Sequence, residues 1–77
     1  MDFEIRLRSV QDVLSFVSMA TARKFPVSVG TARHQVNGKS FMEMFCLNLK
    51  QALTVHVECS EEEYLRFCQD AERFLVR

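Results

Sequence analysis

Residues 3–20 read FEIRLRSVQDVLSFVSMA, and the hydrophobic period changes once inside that stretch. Phe3, Ile5 and Leu7 alternate with Glu4, Arg6 and Arg8. A repeat of two is the signature of a half-buried strand, so a strand is predicted over 3–8. Val10, Val13, Leu14, Val17 and Ala20 then follow the i, i+3, i+4, i+7 rule of an amphipathic helix over 10–24. Ser9 stands between the two as the N-cap, its hydroxyl able to accept an unpaired N–H of the first turn. A strand running straight into a helix sets the pattern for the rest of the chain.

Further along, Pro26 ends the helix and introduces Val27-Ser28-Val29, which alternates again. Gly30 to Gln35 read as a turn and the start of a returning strand, so residues 25–38 form a hairpin, and Asn37-Gly38, a strong turn pair, sits directly before the next helical stretch. Phe41, Met44, Phe45 and Leu47 form a short apolar helical stretch that stops near Asn48. Residues 52–58, ALTVHVE, alternate with Leu53, Val55 and Val57 inward. Ser60 and Glu63 then make a capping box, with Glu61 to Glu63 complementing the helix dipole. The last apolar stripe is Tyr64, Phe67, Cys68, Ala71 and Phe74 or Leu75, with Arg73 and Arg77 near its C-terminal end. The predicted order is β-α-β-β-α-β-α in an α+β domain spanning residues 1–77. Its economical arrangement is a four-stranded sheet with helices on one face, an open-faced sandwich.

Composition narrows the function classes. The chain has 77 residues, of which 48% are hydrophobic and seven are Phe, a globular composition too short for two cores. Ten basic and ten acidic residues cancel, which argues against nucleic acid or an anionic membrane as the main partner. No apolar run reaches the length of a membrane span, and no secretory h-region opens the chain. Cys46, Cys59 and Cys68 are an odd set without a Cys-x-x-Cys pair, as expected of reduced thiols in a cytoplasmic protein.

The element order, the length and the segment VNGKSFMEMFCLNL (36–49) together resemble HPr, the small phosphocarrier of the bacterial sugar phosphotransferase system. In that family a helix begins just after a regulatory serine, within a pattern like V-x-x-K-S and two apolar residues. Val36, Lys39, Ser40, Phe41 and Met42 match it. The resemblance implies the HPr-like open-faced sandwich, a bacterial, cytoplasmic protein, and protein partners in sugar transport or carbon regulation. It also implies regulatory phosphorylation at Ser40, whose alternative reading is a plain N-cap. The other family landmark is a loop resembling G-[LIF]-H-[AT]-R-P-A. There Gln11 stands in place of the phosphoacceptor histidine, Val13 in place of the arginine and Leu14 in place of the proline. An amide has no nucleophilic ring nitrogen, Val13 lacks a guanidinium, and Asp12 adds a negative charge beside the site. A phosphohistidine relay is therefore not expected, and no enzymatic activity is.

With Phe41, Met44 and Leu47 taking the inward side of the short helix, Met42 and Phe45, together with Phe16 and Met19 off the main stripe of the first helix, would form an exposed partner-binding surface; the alternative is that they enlarge a small core. His34 in the hairpin and His56 on the outward face of the last strand read as surface residues. No metal-ligand spacing, cofactor motif or credible cysteine nucleophile is present. The functional expectation is a non-catalytic HPr-like partner-binding protein. Its alternatives are a phosphocarrier acting through another residue and an unrelated interaction or dimerisation module.

Overall fold

The computed structural model describes residues 1–76. Four strands, β1 (Asp2–Ile5), β2 (Val27–Gly30), β3 (Gln35–Asn37) and β4 (Leu53–Val57), form one sheet in the order β1-β4-β2-β3, with every pair antiparallel. Three α-helices join them: α1 (Val10–Thr21), α2 (Phe41–Met44) and α3 (Glu61–Asp70), the last followed by a 3-10 turn at Glu72–Phe74. Alternation puts Ile5, Val27, Val29, Val36, Leu53, Val55 and Val57 on the buried face of the sheet. Asp2, Glu4, Gln35 and Asn37 lie on the other face, exposed to solvent. The helices close the apolar face with Val13, Phe16, Val17, Ala20, Met44, Phe67 and Ala71. No polar or charged residue is buried among the described residues.

Phe67 is the hub of this core. Its ring meets Phe3 edge-on at 5.6 Å, Phe25 at 6.0 Å and Phe16 in a stacked arrangement at 6.0 Å. The Arg23 guanidinium lies 5.0 Å from the ring centroid and pairs with Asp70. One aromatic side chain thus ties α3 to β1, to α1 and to the segment leading into β2.

All three predicted caps are present. The side chains of Ser9, Ser40 and Ser60 accept the N–H groups of Asp12, Glu43 and Glu63. Ser60 and Glu63 complete the capping box, at 3.0 Å and 3.1 Å.

Several boundaries differ from the sequence reading for tertiary reasons. The first strand ends at Ile5 rather than at Arg8, because Ile5 pairs with Leu53, the first residue of β4. Beyond it Arg6 bonds through its N–H to the Phe74 carbonyl, while Leu7 stays fully buried. The first helix stops at Thr21 rather than at 24, where the Thr21 hydroxyl donates to the Val17 carbonyl at 2.7 Å. The Arg23 carbonyl just beyond is taken by Lys39 Nζ, also at 2.7 Å. The last helix breaks after Asp70, and the Arg73 guanidinium rests 4.5 Å from the Phe74 ring centroid. Arg77, the other base expected there, lies outside the described residues.

Candidate functional site

The start of α1, all of α2 and the loop into β4 carry the residues of interest. At the α1 start, Ser9 Oγ accepts the Asp12 N–H at 3.1 Å, and Asp12 Oδ2 accepts the Arg8 N–H at 3.0 Å. The Asp12 carboxylate therefore serves the backbone of the turn. Gln11 is exposed beside it. Val13 is fully buried, so this position packs the core and does not face a ligand. Leu14 is 37% exposed and Val10 61%. The apolar stripe that meets the sheet is thus Val13, Phe16, Val17 and Ala20, rotated from the predicted one.

That rotation corrects the expected partner surface. Phe16 is completely buried between Phe67 and Phe74, and Met19 is half-buried against the core. Phe16 is a packing residue. On α2, Met42 is 83% exposed and Phe45 46%, as expected, but Phe41 is also 43% exposed where an inward position was predicted. Met44 and Leu47 alone turn inward from this segment, because α2 is a single turn that continues as i→i+3 turns at Cys46 and Leu47. Helices α1 and α2 pack against each other. The exposed apolar set is Val10 and Leu14 on α1 with Phe41, Met42 and Phe45 on α2. Five large apolar side chains are thus exposed on two helices that pack against each other.

Ser40 sits at the start of α2, its Oγ accepting the Glu43 N–H at 3.3 Å. Glu43 Oε1 accepts the Asn37 N–H, also at 3.3 Å, so its carboxylate lies on the same turn. Gly38 passes so close to β2 that a Cβ there would lie 2.8 Å from Val27 Cγ1, and its N–H donates to the Val27 carbonyl at 2.7 Å. The Asn37-Gly38 pair thus seats the entry to α2 on the sheet; the tight turn of the hairpin is at Thr31–His34.

A hollow of about 470 Å³ opens at the α1 start. Arg6, Arg8 and Lys50 line it over Leu7, Val10 and Leu49. Arg6 Nη2 donates to the Lys50 carbonyl at 2.7 Å, across 44 residues of sequence. Sequence reasoning missed this cluster, because nothing local links the first strand to residue 50.

Comparison with solved structures settles the architecture. Among 11 matching chains, HPr-C-His from Thermoanaerobacter tengcongensis superposes with a TM-score of 0.74 at 22% identity, covering 94% of this chain and 91% of its own. The fold is that of HPr. No family model matches the sequence, and no curated protein does. The HPr-like open-faced β-sandwich expected from element order is therefore the fold observed, with the four-stranded sheet and its helices in place.

Within this fold neither histidine stands at the start of α1. His34 lies in the hairpin turn. His56 on β4 contacts the Asp2 carboxylate through Nδ1, and its Nε2 is 3.7 Å from Glu58 Oε1. The Asp2–His56 pair arises from strand register, which places the two residues opposite each other. Burial, and then the Glu63 carboxylate, push the Cys59 thiol above its ordinary pKa, which keeps it protonated at neutral pH. Among the described residues no group of three or more His, Cys, Asp or Glu is placed to hold a metal ion. No described helix is long and apolar enough to cross a membrane.

Proposed function

We propose that this chain is an HPr-like, non-catalytic cytoplasmic protein that binds protein partners of the bacterial sugar phosphotransferase or carbon-regulation machinery and carries no phosphate on histidine. Supporting this reading are the HPr fold and the amide of Gln11 exposed at the start of α1, where a phosphocarrier needs an imidazole. The observation that carries the partner-binding role is Met42, 83% exposed on α2 between the half-exposed rings of Phe41 and Phe45. A flexible thioether flanked by aromatics adapts to a partner and gains from leaving water. Phe16 has no part in that surface, and Met19 only its edge.

Ser40 is the proposed regulatory position. A phosphate there would add about −1.5 to −2 charges beside the Glu43 carboxylate and next to exposed Met42. Partner choice would change through repulsion and through new hydrogen bonds to the partner.

Intact-mass measurement after two incubations tests the reading. Phosphoenolpyruvate with enzyme I should add nothing, and ATP with the HPr serine kinase should add one phosphate, mapped to Ser40. Phosphate transfer from enzyme I would overturn it. Met42→Asp should abolish capture of phosphotransferase-system proteins while leaving stability within about 0.5 kcal/mol, as for an exposed side chain. A wild-type chain that runs as a tight dimer, and a monomer once Met42→Asp is made, would favour a dimerisation module instead.

A further inference from the structure

We propose that Lys39 is a latch that ties α2 to the far helix α3, with Arg23 as the link between them. Lys39 Nζ donates to the Arg23 carbonyl at 2.7 Å in a half-buried position, across 16 residues of sequence. The other end of Arg23 turns to α3: its guanidinium pairs with Asp70 and lies 5.0 Å from the centroid of the Phe67 ring. One residue thus receives α2 on its backbone and α3 on its side chain. The Arg23 side chain is 19% exposed, and its Nε is buried without a hydrogen-bond partner. A side chain this enclosed moves with its surroundings, so a change at Asp70 reaches the Arg23 backbone.

Helix α2 depends on contacts of this kind because it is a single turn, Phe41–Met44, too short to hold itself. Its entry is fixed from two sides. The Gly38 N–H bonds to the Val27 carbonyl on the sheet, and Lys39, the next residue, bonds to Arg23 just beyond the end of α1. The ammonium also faces the negative end of the α1 dipole, and a hydrogen bond from a charged donor is stronger than a neutral one. Directly after the latch come Ser40, whose Oγ accepts the Glu43 N–H, and Met42, which is almost wholly exposed. Releasing Lys39 therefore loosens the turn that presents Phe41, Met42 and Phe45. The consequence for binding rests on the function proposed above; the link itself does not.

Amide hydrogen exchange of the whole chain tests the latch without any partner, so its failure and that of the partner-binding reading are distinguishable. Lys39→Met keeps an aliphatic stem and leaves the Arg23 carbonyl unpaired. It should speed exchange about tenfold at the Met44 and Phe45 amides, which bond to the Ser40 and Phe41 carbonyls, and leave the β4 amides unchanged. Asp70→Asn, at the other end of the link, should speed the same two amides about threefold, and should add nothing once Lys39→Met is in place. Lys24→Met, on the exposed residue beside Arg23, should change neither set. Unchanged α2 exchange in Lys39→Met, equal acceleration in β4, or the same response to Lys24→Met would overturn the latch. Asp70→Asn without effect, or with the same effect in both backgrounds, would overturn the coupling to α3.

Discussion

Phe67→Ala removes the ring on which four parts of the molecule converge. The side chain is fully buried, with three other Phe rings within 6.0 Å and the Arg23 guanidinium 5.0 Å from its centroid. Truncating a buried Phe costs about 3–5 kcal/mol, lost transfer energy and the cavity together. The upper half of that range applies here, since Phe3, Phe16 and Phe25 belong to different elements and cannot all collapse into one void. A chain of 77 residues has a total stability of about 4–12 kcal/mol. The variant should therefore be marginal or unfolded. Urea unfolding followed by far-ultraviolet circular dichroism measures it, with two controls on the same helix. Phe67→Leu keeps most of the volume and should lose about 1–2 kcal/mol. Leu65→Ala, at a side chain 53% exposed, should change stability by no more than about 0.5 kcal/mol. A Phe67→Ala loss below about 1 kcal/mol with an unchanged urea slope would refute the claim that this ring joins α3 to the sheet.

Three further outcomes follow from single sites. Gly30→Ala should cost about 1–3 kcal/mol or more in thermal unfolding, because a Cβ there would lie 2.0 Å from the His34 carbonyl oxygen, and only backbone movement relieves it; a neutral result would mean that the hairpin turn is adaptable. The Ser60 backbone N–H, then the Ser60 hydroxyl, hold the Glu63 carboxyl below the usual carboxylate range. Its contribution is thus present above the unfolded pKa and lost as pH falls through the folded one. Glu63→Gln should flatten the acid limb of stability below about pH 4, and parallel limbs would count against the capping box as its source. Tyr64, the sole tyrosine, is pushed above its ordinary pKa by burial and then by a hydrogen bond with Cys68. Stability from this group is present below the unfolded pKa and lost as pH rises through the folded one. Phenolate absorbance should titrate at higher pH in the native chain than in concentrated urea; coincident curves would contradict the shift.

Local chemistry made much of the fold readable. The change of period at Ser9, the alternation over Leu53–Val57 and the Ser60–Glu63 box each depend on residues within one or two turns of one another, so a linear reading finds them. The same reading located Met42 and Phe45 as exposed and Met44 and Leu47 as inward. It could not set the rotation of α1. Val13, Val17 and Ala20 fit two overlapping stripes, one completed by Val10 and Leu14, the other by Phe16. The helical period alone does not distinguish them, and the choice fell to Phe16 because Phe67 and Phe74 receive its ring. Nor could it place Phe41, since a single turn of helix offers too few positions to define a buried face.

Read along the chain alone, the residues give the order of the strands and helices and the serine caps between them. The contacts between distant segments came only with folding: Asp2 opposite His56, the ring of Phe16 stacked on that of Phe67, and the Arg6 guanidinium on the Lys50 carbonyl. The physical reason is distance along the chain. Periodicity and capping report interactions within a few residues, whereas strand register and helix packing bring together side chains from opposite ends of the sequence.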